Sequence, residues 1–295
     1  MKASFKYIII WLLINSFAWM GVGFLAYFVS GLTGHPIGGM EAMFNNAWII
    51  AIAFLVTDLF VVYVFWKRKY TNLKFNYGYN FGEQFTTKKL LLWAAVSGVG
   101  LLVFDLMASL YLPIPEDLGI SDILTMMMTN PIGLMGACLL GPLAEEMIFR
   151  GAIERRLLEK NWNPWYAIVI SAMLFAVAHM NFAQGFTALV IGIFMGWVYY
   201  RTRSIWPTVI IHVVNNTLAC LFSLMAPESM CDDTFALPLS IGIPVTVIGI
   251  ILIYLAAKKI GWLTKDRMPI PAPVTEVLPP PLPDEYFSDS MPPES

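Results

Sequence analysis

Long apolar stretches separated by short polar connections make up most of the chain. Eight of these stretches are long enough, at roughly 20 residues each, to cross a hydrocarbon core about 30 Å thick. The fourth is overlong, and Pro131 marks either a bend within it or its true start. The pattern predicts an all-α fold, a polytopic membrane helical bundle of about eight transmembrane helices. The predicted helices lie at 7–31, 46–66, 88–112, 127–158, 165–183, 186–201, 205–226 and 237–261.

The composition agrees with a membrane protein. Hydrophobic residues make up 58% and charged residues 13% of the 295 residues, and the mean hydropathy is +0.68. These values exclude a large soluble domain. The chain has no phosphate-binding loop and no dinucleotide-binding fingerprint, and no nucleic-acid partner is expected.

The charges of the connections predict the orientation of the helices. The connections at 32–45, 113–121 and 227–236 contain no Lys or Arg. The N terminus is basic, and so are the connections that alternate with these three. By the positive-inside rule, both termini are expected in the cytoplasm. Short loops without additional domains favour a bacterial inner membrane as the location.

The pattern divides the chain into four parts. Residues 1–87 hold two transmembrane helices and a cytoplasmic loop, 88–226 form the helical core, and 227–267 contain the last helix. Residues 268–295 are acidic, rich in proline and free of Lys and Arg. This composition is typical of a disordered cytoplasmic tail. The tail is a candidate docking segment for a partner, although a solvated tail is the simpler interpretation.

Among the ionisable residues in the apolar stretches of the core, five stand out. Glu145, Glu146 and Arg150 lie in the fourth stretch, His179 lies in the fifth, and His212 lies in the seventh. A charged side chain at the middle of a membrane helix costs about 2.5 to 3.5 kcal/mol on insertion scales. Such residues persist mainly where they do chemistry, transport ions or hold helices together.

Helix geometry assigns different tasks to the two glutamates. Glu146 and Arg150 are four residues apart and share one face of a helix, so they are expected to form an ion pair. Glu145 is rotated by about 100° from Glu146 and faces a different neighbour. That arrangement leaves Glu145 available as a general base.

The same four-residue spacing recurs on two further helices. It places Phe175 on one face with His179, and His212 on one face with Asn216. Counted from the expected cytoplasmic helix ends at 1.5 Å per residue, Glu145, His179 and His212 lie roughly 20, 21 and 11 Å deep. The three side chains are therefore expected to meet at one site within the membrane.

These motifs, taken in order, resemble those of a known family. Glu145-Glu146-x-x-x-Arg150, Phe175-x-x-x-His179 and His212-x-x-x-Asn216 are similar to the motifs of the CPBP intramembrane proteases. That family, also called Abi, contains the CAAX proteases and bacteriocin-processing enzymes, and it includes the CAAX prenyl endopeptidases. The resemblance covers roughly residues 88–226, and all three motifs are intact.

The resemblance implies an intramembrane endopeptidase that acts on membrane-embedded or membrane-associated proteins or peptides. It implies that Glu145, with His179, activates the attacking water, and that His212 and Asn216 stabilise the oxyanion. Glu146 and Arg150 would then hold the site together. Two mechanisms remain open: a purely glutamate-dependent one, and one in which Glu145, His179 and His212 bind zinc.

Other interpretations keep the same residues but give them different roles. One alternative is a catalytically silent scaffold or regulator of another membrane protein, and a less favoured one is a proton-coupled transporter with Glu145 as the carrier. The motifs of rhomboid and presenilin-like proteases are missing from the sequence. Asp58 and Asp105 therefore lack a catalytic motif, and we interpret them as hydrogen-bonding partners of neighbouring helices.

Overall fold

The computed structural model describes residues 2–33, 46–71, 85–111, 125–160, 162–179, 182–225 and 237–267. The tail at 268–295, which is predicted to be disordered, lies outside these ranges. Most of the acidic connections also lie outside them.

Helices account for nearly all of the described chain, and no strand occurs in these ranges. The predicted all-α membrane bundle is confirmed. Six of the eight long helices, all except α5 and α6, are long and apolar enough to cross a membrane by length and composition. The eight helices are α1 (Lys2–Leu32), α2 (Ala47–Lys67), α3 (Lys88–Tyr111), α4 (Pro131–Glu159), α5 (Pro164–Ala178), α6 (Phe182–Thr202), α7 (Ile205–Met225) and α8 (Leu239–Leu263).

The start of α4 is fixed by local chemistry. The side-chain oxygen of Asn130 accepts a hydrogen bond from the backbone N–H of Gly133 at 2.9 Å, and Pro131 occupies the first turn. Both are favourable there, because the first N–H groups of a helix have no partner within it. Of the two readings of Pro131, the true start of the helix is the correct one, and the expected start at residue 127 was too early.

The boundary between α5 and α6 also differs from the prediction. α5 ends at Ala178 rather than at 183, and α6 begins at Phe182. His179 therefore lies at the C-terminal end of α5 instead of inside a longer helix. His179, Asn181 and Gln184 make the sequence polar at this break, which the prediction placed a few residues too late.

α3 lies at the centre of the bundle, where it packs against both α7 and α8. A Cβ atom at Gly98 would lie 2.8 Å from the carbonyl oxygen of Ile211, so only glycine allows α3 to approach α7 this closely. Small residues of this kind are the usual means of close helix packing in membranes. α1 packs mainly against α2, and only 6% of its most apolar stretch is buried by the rest of the protein.

α4 contains two turns that are wider than those of an α-helix. In the first, over Gly136–Leu140, the N–H of Gly141 donates to the carbonyl of Gly136, five residues back. Pro142 follows directly and has no N–H to continue the regular ladder. The second wide turn covers Phe149–Glu154. Such π-turns are frequent at functional sites, and here they flank the short α-helical segment that carries both glutamates.

Candidate active site

Glu145 and Glu146 point in different directions, as the helix geometry predicted. The side chain of Glu146 is 0% exposed, whereas that of Glu145 is 32% exposed and faces a cavity. Two adjacent carboxylates are therefore placed in two environments. One is enclosed by protein, and the other is accessible to a water molecule or a substrate.

The expected ion pair between Glu146 and Arg150 is present and completely buried. Nη1 of Arg150 lies 2.7 Å from Oε1 of Glu146, and Nη2 donates to the carbonyl oxygen of Gly192 on α6 at 3.1 Å. The guanidinium group also lies over the ring of Phe175, 4.7 Å from its centre. Arg150 thus ties α4 to both α5 and α6 while it neutralises Glu146.

His212 lies between the two glutamates. Its Nδ1 is 3.2 Å from Oε1 of Glu146, and its Nε2 is 3.6 Å from Oε2 of Glu145. A carboxylate oxygen paired with Arg150 can only accept a hydrogen bond, so Nδ1 of His212 carries a proton and donates it to Glu146. The buried pair consequently sets the ring so that its other nitrogen faces Glu145.

His179 is oriented by its own helix. Its Nδ1 lies 2.9 Å from the backbone carbonyl oxygen of Phe175, one turn earlier. Because a carbonyl only accepts, Nδ1 donates, and in the neutral ring Nε2 is then the nitrogen free to accept a proton. The ring of Phe175 packs edge-on against both His179 and His212, at centroid distances of 4.7 and 5.7 Å. Phe175 therefore fixes the spacing between the two imidazoles.

Asn216 lies one turn after His212 on α7. Its side-chain Nδ2 donates to the backbone carbonyl oxygen of Ala137, at 3.1 Å. Ala137 belongs to the first wide turn of α4, so this bond joins that turn to α7. A primary amide carries two hydrogens, and one of them remains for another acceptor.

Glu145, His179, His212 and Asn216 line one cavity of about 410 Å³. Its volume is in the usual range of binding pockets. Glu145, His179 and His212, which were expected to meet, come from three helices to this cavity, while their catalytic roles stay predictions. Glu146 and Arg150 are not part of the cavity wall but lie behind it, where they support His212 and Phe175.

Two further carboxyl groups in the cavity wall were not assigned a site role from the sequence. Asp58 of α2 and Asp105 of α3 both line the cavity. Asp105 lies within hydrogen-bonding reach of the Thr187 hydroxyl and near His179. They were interpreted as partners of neighbouring helices because they match no motif. Their position in apolar spans could have identified Asp58 and Asp105 as site residues, because an ionisable residue within a membrane span is by default a candidate functional group.

The geometry does not provide a ready metal site. Within the described ranges, no group of three His, Cys, Asp or Glu side chains is positioned to hold a metal ion. Glu145, His179 and His212 line the same cavity. The Nδ1 atoms of both histidines bond to other partners, which leaves Nε2 of each ring as the nitrogen that could bind an ion. In the present arrangement the three side chains do not form a three-ligand site, and the zinc-dependent mechanism stays a prediction from the sequence.

Comparison with known proteins points to one family. Residues 127–218 match the family model described as type II CAAX prenyl endopeptidase Rce1-like. The chain is 29% identical over 102 residues to the "Putative membrane peptidase YdiL" of Bacillus subtilis. It is also 29% identical over 109 residues to the "Membrane-embedded CAAX protease MroQ" of Staphylococcus aureus. Each alignment includes 35% of this chain, and the chain spans 41% and 44% of the two relatives. No solved structure matches the chain.

Proposed function

We propose that this integral membrane protein is an intramembrane endopeptidase of the CPBP type, a proposal supported by the match of residues 127–218 to a CAAX prenyl endopeptidase family model. It hydrolyses peptide bonds of membrane-embedded or membrane-associated proteins or peptides with a water molecule activated by protein side chains. The observation that carries the proposal is the placement of Glu145 3.6 Å from His212 in a cavity that His179 and Asn216 also line.

Glu145 is the general base. Its carboxylate is accessible from the cavity, whereas Glu146 is fully buried and occupied by Arg150 and His212. Glu145 accepts a proton from the attacking water, and the remaining hydroxide adds to the carbonyl carbon of the scissile bond. The free Nε2 of His179 accepts the other hydrogen bond of this water and holds it in place.

His212 and Asn216 stabilise the oxyanion. A donor is needed where negative charge develops on the carbonyl oxygen, and it must be in place before the reaction starts. His212 meets this requirement when it carries a proton on both nitrogens, with Nδ1 bonded to Glu146 and Nε2 directed to the oxyanion. The second hydrogen of the Asn216 amide is the other donor, while the first holds the group against Ala137.

The Glu146–Arg150 pair acts by positioning. It is buried at 0% exposure, and its bonds to Gly192 and His212 join three helices. A catalytic group must stay within a fraction of an ångström of its productive position, and a buried ion pair with hydrogen bonds to neighbouring helices is a means to that end. We therefore assign Glu146 and Arg150 to the support of His212 rather than to contact with the substrate.

Cleavage by the purified full-length protein tests the proposal. A library of membrane peptides is incubated in detergent with the wild type and with Glu145→Ala. Products that form with the wild type alone support the endopeptidase. Equal cleavage by Glu145→Ala removes Glu145 as the base. No products from folded wild-type protein would favour the scaffold, and that function should then survive in Glu145→Ala.

A further inference from the structure

Peptide hydrolysis needs two proton transfers. The water loses a proton to Glu145, and the leaving nitrogen must gain a proton before it departs as an amine. Glu145 can return its own proton, but a second group in the same cavity that already carries a proton can donate it directly to the nitrogen. This inference rests on the proposed endopeptidase function.

Asp58 of α2 is the group in that place. Gly141 and Glu145 are four residues apart on the α-helical segment of α4 and share one face. Oδ2 of Asp58 lies 3.6 Å from the position that a Cβ atom would occupy at Gly141. Asp58 therefore lies one helical turn from Glu145, on the same side, and both residues line the cavity.

The two carboxyl groups influence one another. Both line one cavity, and Asp58 is half-buried in its wall. Two carboxylates that share a cavity repel, so such a pair favours one proton shared between two carboxyl groups. Glu145 faces His212 at 3.6 Å and is the group assigned as the base. Asp58 is then the carboxyl group available to supply a proton.

We propose that Asp58 is a further catalytic residue, which donates a proton to the leaving amine. As water attacks the carbonyl carbon, its proton moves to Glu145 and a tetrahedral intermediate forms. The carbon–nitrogen bond then breaks, and the nitrogen receives the proton of Asp58. The products are a carboxylic acid and an amine. Transfer of the proton from Glu145 to Asp58 restores the starting state, so atoms and charges balance.

Substrates with different leaving groups test this role. One substrate is a peptide cleaved in the library experiment, and the other is the p-nitrophenyl ester of the same acyl sequence. The phenolate of the ester leaves without a proton, so an acid is needed only for the peptide. Asp58→Asn should lower kcat for the peptide by about 100-fold or more and leave ester turnover near the wild-type value. Retained ester turnover also shows that the variant is folded.

Two comparison variants separate the possible outcomes. Glu145→Gln should impair both substrates, because both need an activated water. Asp105→Asn removes the other cavity aspartate and should affect both substrates by the same factor. Full peptide turnover by Asp58→Asn, or equal losses on peptide and ester, would overturn the role of Asp58. In that case a large loss in Glu145→Gln would still support the endopeptidase.

A second measurement applies if Asp58→Asn does not fold. Wild-type protein is assayed with a series of substituted anilides of the same acyl sequence. With an acid in place, kcat should change little with the basicity of the leaving aniline. A steep fall with increasing basicity would contradict proton donation. Asp58→Glu, which keeps the acid, should retain more peptide turnover than any variant without a carboxyl group.

Discussion

Oε2 of Glu145 lies 3.6 Å from Nε2 of His212 across the gap between α4 and α7. This separation is too long for a good direct hydrogen bond, but an oxygen atom beside the pair can lie at hydrogen-bonding distance from both groups. A water molecule or an oxyanion in that position would contact the base and the donor together.

Glu145→Gln should lower kcat by about 10²- to 10⁴-fold, because the amide cannot accept the proton of the water. The side-chain shape is kept, so helicity and thermal unfolding should stay close to those of the wild type. Glu159→Gln is the matched control on the same helix. Glu159 pairs with Arg155 and Arg156 rather than with the site, and its loss should leave turnover unchanged.

Arg150→Lys should destabilise the protein strongly. A single ammonium group cannot replace the planar guanidinium, which contacts Glu146, the Gly192 carbonyl and the Phe175 ring together. Breaking a buried ion pair costs about 3 to 5 kcal/mol. Thermal unfolding in detergent measures the loss. Arg156→Lys, at a side chain that is 45% exposed, should shift the midpoint little, and an equal shift in both variants would contradict this account.

Gly192→Ala should impair both stability and turnover. The new Cβ atom would lie 3.1 Å from Cβ of Ala172 and 3.3 Å from Nη2 of Arg150. Helices α5 and α6 would have to separate slightly, which would displace Arg150 at a cost of about 1 to 3 kcal/mol. Gly21→Ala on α1 is the control, because its Cβ would meet no atom within 4 Å. Unchanged unfolding of Gly192→Ala would show that the packing can adjust.

Asn216→Asp should lower kcat by about 10²- to 10³-fold, as expected for the loss of one oxyanion donor. The replacement is nearly the same size but has no N–H group. KM should change little, because the donor acts mainly in the transition state. A rise in KM with unchanged kcat would instead assign Asn216 to substrate binding.

Chelation of metal should leave the turnover of purified protein unchanged, because the side chains as arranged do not form a three-ligand site. The measurement is cleavage before and after incubation with a zinc chelator, together with the zinc content of the purified protein. Loss of turnover on chelation, with recovery on addition of zinc, would require that Glu145, His179 and His212 rearrange to bind the ion.

Contacts within one helix were predictable from the sequence. The ion pair of Glu146 with Arg150 and the different direction of Glu145 follow from helical periodicity, and both are present. The hydrogen bond from Nδ1 of His179 to the Phe175 carbonyl also spans a single turn. Spacing in the sequence determines such contacts, because 3.6 residues complete each turn.

Contacts between helices were not predictable in the same way. Which side chain of α2 faces Glu145 depends on the rotation and depth of that helix, and the apolar sequence around Asp58 sets neither. The wide turns of α4 change the direction in which every following side chain points. The sequence signal for them is Pro142, which follows the first wide turn and has no N–H group. The break after Ala178 coincides with polar residues, but His179 and Asn181 could equally lie inside a helix, so the sequence did not fix its position.

The position of Glu146 and Arg150 within one helix has a consequence for biogenesis. Membrane helices enter the bilayer largely one at a time, and each isolated charge near the middle of a helix costs about 2.5 to 3.5 kcal/mol on entry. Because the two residues lie one turn apart, they neutralise each other as soon as that helix forms, before any partner helix is available. Two fully buried ionisable side chains are thus delivered to the membrane as a neutral unit.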